Sequence, residues 1–134
     1  MKIRSLSFLI ALSTILILAR CQKDGGIVSG LIGTWVEIDT KTDSIIFKTN
    51  DQSGTFMLNR GFEVSNGYYL PKIGSGSYSY HISDDKIKIV DLLSGSAGGN
   101  NFYFNINQDI ESFQIGVFSL FDTNKAILTF KKIN

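Results

Sequence analysis

The sequence predicts an all-β domain of short antiparallel strands behind an N-terminal signal segment. From Gly33 onward, apolar and polar residues alternate with a period of two in one run after another, which is typical of half-buried strands. Clusters of Gly, Asn and Asp separate these runs at short intervals, as hairpin turns require. No window after Ser29 keeps the 3.6-residue period of a helix over a dozen residues.

Eight runs carry the alternation clearly. Phe62 is expected on the same strand face as Phe56 and Leu58. A weaker ninth strand, Tyr68–Ile73, contains Pro71, which suits a sheet edge or a bulge because proline cannot donate to the ladder. The eight clear strands are predicted at Thr34–Asp39, Ser44–Thr49, Thr55–Phe62, Ser77–Ser83, Lys86–Val90, Asn101–Asn107, Ser112–Phe118 and Ala126–Lys132.

The number and spacing of these strands suggest a meandering antiparallel sheet. Such a sheet exposes two unpaired edges unless it closes or doubles over. Closure into an up-and-down barrel of about eight strands removes both edges. A two-sheet sandwich is the competing arrangement, and the strand pattern alone leaves both open.

The first 24 residues indicate export. Lys2 and Arg4 precede the apolar run Leu6–Ala19, and Cys21, the only cysteine of the chain, follows almost at once. The run is shorter than the roughly 20 apolar residues that a spanning helix needs. A basic start, a short apolar run and a polar exit make a secretory signal. The alternatives are a plain signal peptide that leaves a free thiol, and an uncleaved, tilted anchor.

The segment Leu18-Ala19-Arg20-Cys21 resembles the lipobox of bacterial lipoproteins, although Arg20 stands where a small residue is usual. Gln22-Lys23-Asp24 resembles the export tags of surface lipoproteins in the Bacteroidetes group. The resemblance implies a lipid on Cys21 and a place in the cell envelope, at the outer membrane, facing the periplasm or the surface. It divides the chain into a signal peptide (1–20), a flexible tether (21–30) and a barrel domain (31–134).

Charge argues against two classes of partner. The chain of 134 residues has 13 basic and 12 acidic residues, and removal of Lys2, Arg4 and Arg20 leaves 10 basic residues and a net charge of about −2. The remaining charges are scattered, whereas nucleic-acid binding needs clustered Lys and Arg. No basic amphipathic stretch is available to lie on a membrane, so the lipid is the one membrane contact we predict.

The chemistry of the side chains predicts no enzyme. His81 is the only histidine, and it lies among serines on the polar face of a strand, so no Ser-His or Cys-His pair has an evident base. The acids Asp84-Asp85, and Asp109 with Glu111, fit a turn and a solvated strand entry. Zinc would need clustered Cys or His. We therefore predict no catalytic, metal or cofactor site.

The glycine-rich segment Ser94–Asn100 could be mistaken for a phosphate-binding loop. It lacks the Lys-Ser/Thr ending of such loops, and no helix follows it. We therefore predict a flexible hairpin loop.

The segment Leu31-Ile32-Gly33-Thr34-Trp35 resembles the Gly-x-Trp element of lipocalins. Together with Asp43-Ser44-Ile45-Ile46-Phe47 it is similar to lipocalin-like lipoproteins of Bacteroidetes. The resemblance implies a small barrel with the tryptophan across its closed end, and a small apolar or amphipathic ligand as partner. The candidate ligand-binding residues are Trp35, Tyr78, Tyr80, Phe102 and Phe104.

Large inward side chains can instead fill a small barrel completely. The alternative is therefore a packed barrel without ligand that serves as a structural envelope lipoprotein or binds an envelope protein partner. In that case loops such as Ser94–Asn100 would make the contacts.

Overall fold

A computed structural model describes residues 28–94, 98–119 and 124–133 of the chain. The predicted signal segment, Cys21 and most of the predicted tether lie outside these residues. Within them there is no helix, and so none that could cross a membrane. The strands are β1 (Gly33–Glu37), β2 (Ser44–Phe47), β3 (Ser53–Asn59), β4 (Phe62–Ser65), β5 (Tyr68–Pro71), β6 (Gly76–Ser83), β7 (Lys86–Asp91), β8 (Asn100–Ile106), β9 (Ser112–Gly116) and β10 (Ile127–Ile133).

Eight of these strands form one closed antiparallel barrel. The order around the ring is β1-β2-β3-β6-β7-β8-β9-β10, and β10 pairs with β1 to complete it, with Trp35 opposite Lys132. Each barrel strand therefore has two neighbours, which leaves the barrel without a free edge. The prediction of a small up-and-down barrel is confirmed, and the sandwich is not formed.

Aromatic rings fill much of the barrel interior. Phe113 lies near the centre of a ring network, with centroids 5.0 Å from Trp35, 5.2 Å from Phe130, 5.4 Å from Phe104 and 6.0 Å from Phe47. Rings at these separations gain edge-to-face and stacked contacts in addition to their burial. The alternation in the sequence places these residues inward because successive side chains of a strand point to opposite faces.

The N-terminal residues of the described chain seal one end of the barrel, which we call the closed end. Leu31 is fully buried, and its carbonyl oxygen accepts a hydrogen bond of 2.9 Å from the indole N–H of Trp35. Lys132 Nζ donates to the carbonyl oxygen of Gly30 at 2.8 Å and lies 5.2 Å from the centre of the Trp35 ring. Val28, within the predicted tether, also packs against the core.

The hairpin formed by β4 and β5 stands outside the barrel. In the chain it connects β3 to β6, which pair directly with each other in the barrel. The prediction that Phe62 continues the strand of Phe56 and Leu58 is therefore wrong. Strand β3 ends at Asn59, and the chain turns at Gly61, whose φ is +79°. The Gly61 carbonyl oxygen then accepts a hydrogen bond from the Lys72 N–H, which closes the base of the hairpin at 3.0 Å.

Candidate functional site at the open end

The end of the barrel opposite the N-terminal segment holds a hollow of about 510 Å³, and we call this end the open end. The connections at 38–43, 60–75, 92–94, 98–99, 117–119 and 124–126 lie at this end of the barrel. Ligand pockets of small molecules are commonly about 300–1,000 Å³. The hollow is lined by Ile73, Gly74, Tyr78, Asp91, Asn100, Phe102, Val117, Phe118 and Ser119.

The floor of the hollow is aromatic. The Phe118 ring stands nearly perpendicular to the rings of Phe56 and Tyr78, at 5.8 Å and 5.7 Å, and lies 6.0 Å from the ring of Phe102. Phe56 and Tyr78 are stacked at 5.4 Å. This cluster separates the hollow from the filled interior below it, so the hollow is a shallow cup at the mouth of the barrel.

Tyr78 is the buried polar side chain of the cup. Its hydroxyl donates to the carbonyl oxygen of Gly74 at 2.7 Å. Burial raises the pKa of Tyr78 above its ordinary value of 10.0, and a hydrogen bond with Ser119 offsets part of this rise. The phenol is therefore neutral at physiological pH, and it fixes the 74–78 segment that forms one wall of the cup.

The rim of the cup carries hydrogen-bond acceptors that are less buried than the Tyr78 hydroxyl. Asp91 lies at the end of β7, and its Oδ1 accepts the N–H of Leu93 at 2.8 Å. Asn100 begins the next strand, β8. A half-buried carboxylate with one oxygen committed to the backbone can still accept a second donor. The cup thus combines an apolar floor with acceptors at its rim.

Charged side chains are buried at the same end of the barrel. Glu37 is 1% exposed and lies opposite Asp43, the residue that precedes β2, and the Glu37 N–H donates to the Asp43 carbonyl oxygen at 2.9 Å. Glu37 Oε2 accepts the N–H groups of Asp39 and Thr40 at 2.9 Å and 2.6 Å, which holds the 38–43 loop. Two neighbouring buried acids need a cation nearby.

Arg60 supplies that cation. Its Nε lies 3.8 Å from Asp43 Oδ1, and its Nη1 donates to the carbonyl oxygen of Ile73 at 2.7 Å. Burial raises the pKa of Asp43 above 3.8, while the Arg60 charge acts in the opposite direction. Because Ile73 also lines the cup, Arg60 links the buried Asp43 to the wall of the hollow.

Exposed apolar surface is concentrated at the open end. Soluble domains rarely expose contiguous apolar patches unless the patch binds something. Tyr69 is 79% exposed, Leu93 77% and Tyr68 71%. Among the described residues, the large exposed apolar side chains at this end are Ile38, Phe62, Val64, Tyr68, Tyr69, Leu70, Ile73, Leu92, Leu93 and Ile127.

The structure divides the five candidate ligand-binding residues among three places. Tyr78 and Phe102 meet at the cup. Trp35 and Tyr80 are enclosed in the core, where the Tyr80 hydroxyl donates to the Asp51 carbonyl oxygen at 3.0 Å. Phe104 borders a second hollow, of about 320 Å³, at the closed end.

The residues considered for catalysis are dispersed. His81 is exposed on the outer face of β6, with Nδ1 2.6 Å from the Ser53 hydroxyl oxygen. Asp84 and Asp85 form the β6–β7 turn. Within the described ranges, no group of three or more His, Cys, Asp or Glu side chains could hold a metal ion. Part of the Ser94–Asn100 loop lies outside those ranges.

Sequence reasoning missed Phe118, Asp91 and the buried cluster of Glu37, Asp43 and Arg60. Alternation from Trp35 does place Glu37 inward, and that signal was available. The hairpin also had a signal, because the dipeptide Asn66-Gly67 is typical of a two-residue hairpin turn. Nothing in the sequence indicates that Phe118 covers the core, since its strand ends two residues before it.

A comparison of the chain with protein-family models, with curated proteins and with solved structures finds no significant match. The geometry of the open end is therefore the basis on which we infer a function.

Proposed function

We propose that the protein binds a small amphipathic molecule in the cup at the open end of its barrel. The observation that carries the proposal is the 510 Å³ hollow itself, because its floor consists of the Tyr78, Phe102 and Phe118 rings while acceptors stand at its rim. Such a site suits an apolar body with one polar head.

The rim favours a neutral or cationic head over an anionic one. Among the described residues, Asp91 is the charged side chain that lines the cup, and it would repel a carboxylate or a phosphate. Asn100 and Ser119 can accept hydrogen bonds from a hydroxyl or an amine. The proposed ligand class is therefore an aliphatic or aromatic alcohol or amine.

A binding titration with decylamine and decanoate tests this proposal. Decylamine should bind more tightly than decanoate, by about tenfold if the Asp91 charge contributes about 1.4 kcal/mol. Asp91→Asn should remove the preference, since it keeps the acceptor for Leu93 N–H but not the charge. Asp85→Asn, at the closed-end hollow, is the matched control and should leave the preference intact. Equal binding of both probes to the unmodified protein contradicts the proposal.

We further propose that the protein is an envelope lipoprotein anchored through Cys21. The basic, apolar and polar segments that precede the barrel support this, as does the lipobox-like sequence around Cys21. The described chain enters the barrel at its closed end, so an anchor on that side would leave the cup facing away from the membrane.

Membrane fractionation of Cys21→Ser tests the anchor. The variant should leave the membrane fraction, while a Ser29→Ala control should remain in it. Membrane association that is unchanged in Cys21→Ser contradicts the lipoprotein proposal.

A second candidate function is that of a packed barrel that binds an envelope protein. The aromatic network that fills the interior favours it, because little space for a ligand is left below the cup. Deletion within Ser94–Asn100 should then abolish co-purification of the partner. Native mass spectrometry separates the two candidates. A bound small molecule adds its mass to that of the protein, whereas a packed barrel without ligand has the mass of the protein alone.

A further inference from the structure

The outer edge of strand β4 is the feature of the structure that neither the barrel nor the cup uses. In the described part of the chain, β4 has β5 as its one strand neighbour. Ser65 and Tyr68 flank the two-residue turn Asn66-Gly67, in which both φ angles are positive, at 52° and 81°. This is the geometry of a tight hairpin whose pair next to the turn exchanges hydrogen bonds.

Hydrogen-bonded and non-hydrogen-bonded pairs alternate along an antiparallel ladder. Since Ser65 and Tyr68 form a hydrogen-bonded pair, Val64 opposite Tyr69 and Phe62 opposite Pro71 are non-hydrogen-bonded pairs. The N–H and C=O groups of Phe62 and Val64 therefore point away from β5, along the free edge of β4.

The two edges of the hairpin are not equivalent. On β5, Pro71 has no N–H, and a proline blocks the addition of a further strand. Strand β4 has the sequence Phe62-Glu63-Val64-Ser65, which has no proline. The free edge of β4 therefore keeps all of its outward backbone groups, which are the N–H and C=O groups of Phe62 and Val64.

The side chains beside this edge are apolar and exposed. Phe62 and Val64 are each 64% exposed, and they share one hairpin face with Tyr69 and Pro71. Phe62 also borders a groove of about 310 Å³ between the hairpin and the barrel wall. The described residues that line this groove are uncharged, and they include Met57, Phe62 and Pro71.

We propose that β4 is a docking edge for an extended segment of a partner protein, which joins it as an antiparallel third strand. Two hydrogen-bonded pairs would form, at Phe62 and at Val64, and apolar side chains of the segment would cover the Phe62 face. Glu63 lies between these pairs, at a position where opposed side chains come closest. A lysine or arginine of the partner belongs opposite Glu63, so the segment reads apolar–basic–apolar.

Glu63 also argues against a second copy of this chain as the partner. A two-fold pairing of β4 with β4 through Phe62 and Val64 would place Glu63 directly opposite the same residue of the other copy. Like charges in that position are destabilising. The proposal is independent of ligand binding in the cup.

The free backbone groups argue against a lipid bilayer as the partner. Hydrocarbon offers no partner for the N–H and C=O groups of Phe62 and Val64, whereas a protein strand satisfies them. Moreover, the hairpin stands at the open end, whereas the described chain enters the barrel at the closed end. An anchor on the closed-end side, as proposed above, would keep the hairpin away from the membrane.

Peptide binding to the full-length chain tests the proposal. The probes are two dye-labelled peptides of alternating valine and threonine, one with a central lysine and the other with a central glutamate. Fluorescence anisotropy should show the lysine peptide binding about fivefold more tightly. Glu63→Lys should reverse this order. In hydrogen exchange, the bound lysine peptide should protect the amides of Phe62 and Val64.

Val64→Pro is the decisive variant, because it removes one outward N–H without removing a hydrogen bond within the hairpin. It should abolish binding of both peptides, while Val64→Thr, which keeps the N–H, should weaken binding only a few-fold. Thermal unfolding of the barrel should be the same in both variants, since Val64 lies outside the barrel.

Four outcomes overturn the proposal. They are equal affinity for the two peptides, binding that survives Val64→Pro, a dimer in sedimentation that Val64→Pro dissolves, and binding to phosphatidylcholine vesicles that Phe62→Ala abolishes while Val64→Pro leaves it unchanged. The third outcome would assign the edge to a second copy, and the fourth would assign the hairpin to a lipid surface.

Discussion

The two ends of the barrel are built differently, although the same strands run between them. At the closed end, Leu31 and Trp35 are fully buried, and the Lys132 ammonium covers the indole ring. At the open end, Glu37 and Arg60 are buried while Tyr69 is mostly exposed. The closed end thus follows the ordinary rule for a stable core, and the open end departs from it. Such departures are expected where a protein binds something.

The largest effect should come from truncation at the closed end. Trp35→Ala removes a fully buried ring together with its hydrogen bond to Leu31, so we expect the free energy of unfolding to fall by about 4 kcal/mol. Phe62→Ala, at the open end, should change it by less than about 0.5 kcal/mol, because Phe62 is mostly exposed. Urea unfolding of both variants measures this. Comparable losses would erase the distinction between the two ends.

Removal of the buried cation should be the largest change at the open end. Arg60→Met leaves Asp43 and Glu37 buried without its charge, and we expect a loss of about 3 kcal/mol in the free energy of unfolding. Lys125→Met is the matched control, because Lys125 pairs with Asp39 in an exposed ion pair. Exposed pairs of this kind contribute about 0–1 kcal/mol.

The double variant Arg60→Met with Asp43→Asn sharpens this result. It should recover part of the lost stability, since it also removes one of the unpaired charges. If Arg60→Met alone proves as mild as Lys125→Met in chemical denaturation, the buried cluster does not hold the open end together.

A smaller effect is expected from the hydroxyl of the cup. Tyr78→Phe loses the hydrogen bond to the Gly74 carbonyl oxygen and should cost about 1 kcal/mol. Tyr80→Phe, which loses a bond to the Asp51 carbonyl oxygen, should cost a similar amount. Decylamine titration distinguishes them: we expect only Tyr78→Phe to weaken binding, because Tyr80 does not line the cup. Weaker binding by both variants would point to a general loosening of the barrel.

The smallest effects should appear in the pH dependence of stability, with opposite signs for two acids. Burial raises the pKa of Asp43 in the folded state above 3.8, so its contribution is most favourable below that pH and declines as the pH rises through the folded value. The hydrogen bond from Lys125 lowers the pKa of Asp39, so its contribution is present above pH 3.8 and is lost as the pH falls through the folded value.

Denaturation of Asp43→Asn and Asp39→Asn across a pH series, each compared with the unmodified protein, checks these signs. The stability advantage of the unmodified protein over Asp43→Asn should shrink as the pH rises from about 3, and its advantage over Asp39→Asn should grow. Differences of the same sign in both series would contradict the assignment.

Much of the barrel was predictable because its strands obey a local rule. Tyr78, Tyr80 and Ile82 alternate with polar residues, and all three are buried in β6 as the alternation requires. The error at Phe62 arose because the alternation of apolar residues continues past Asn59, whereas strand β3 ends at that residue. An alternation with period two predicts which face of a strand a side chain occupies. It does not predict where the strand ends, which here is decided by the turn at Gly61.

The candidate site was less predictable than the barrel. Tyr78 and Phe102 were identified from their size and inward position, but the same reasoning included Trp35, which fills the closed end. Phe118 could not be assigned to the site from sequence, because its position over Phe56 and Tyr78 depends on how the chain leaves β9. The site is formed by contacts between residues far apart in the chain.

The sequence by itself determined the class of the fold, since the alternation and the turn residues act over a few neighbouring positions. The tertiary structure alone decided that the sheet closes, that β4 and β5 stand apart, and which end is sealed. Closure depends on the pairing of β1 with β10, whose residues Trp35 and Lys132 are distant in the chain. Long-range pairing of this kind is set by the geometry of the whole barrel, to which no local pattern corresponds.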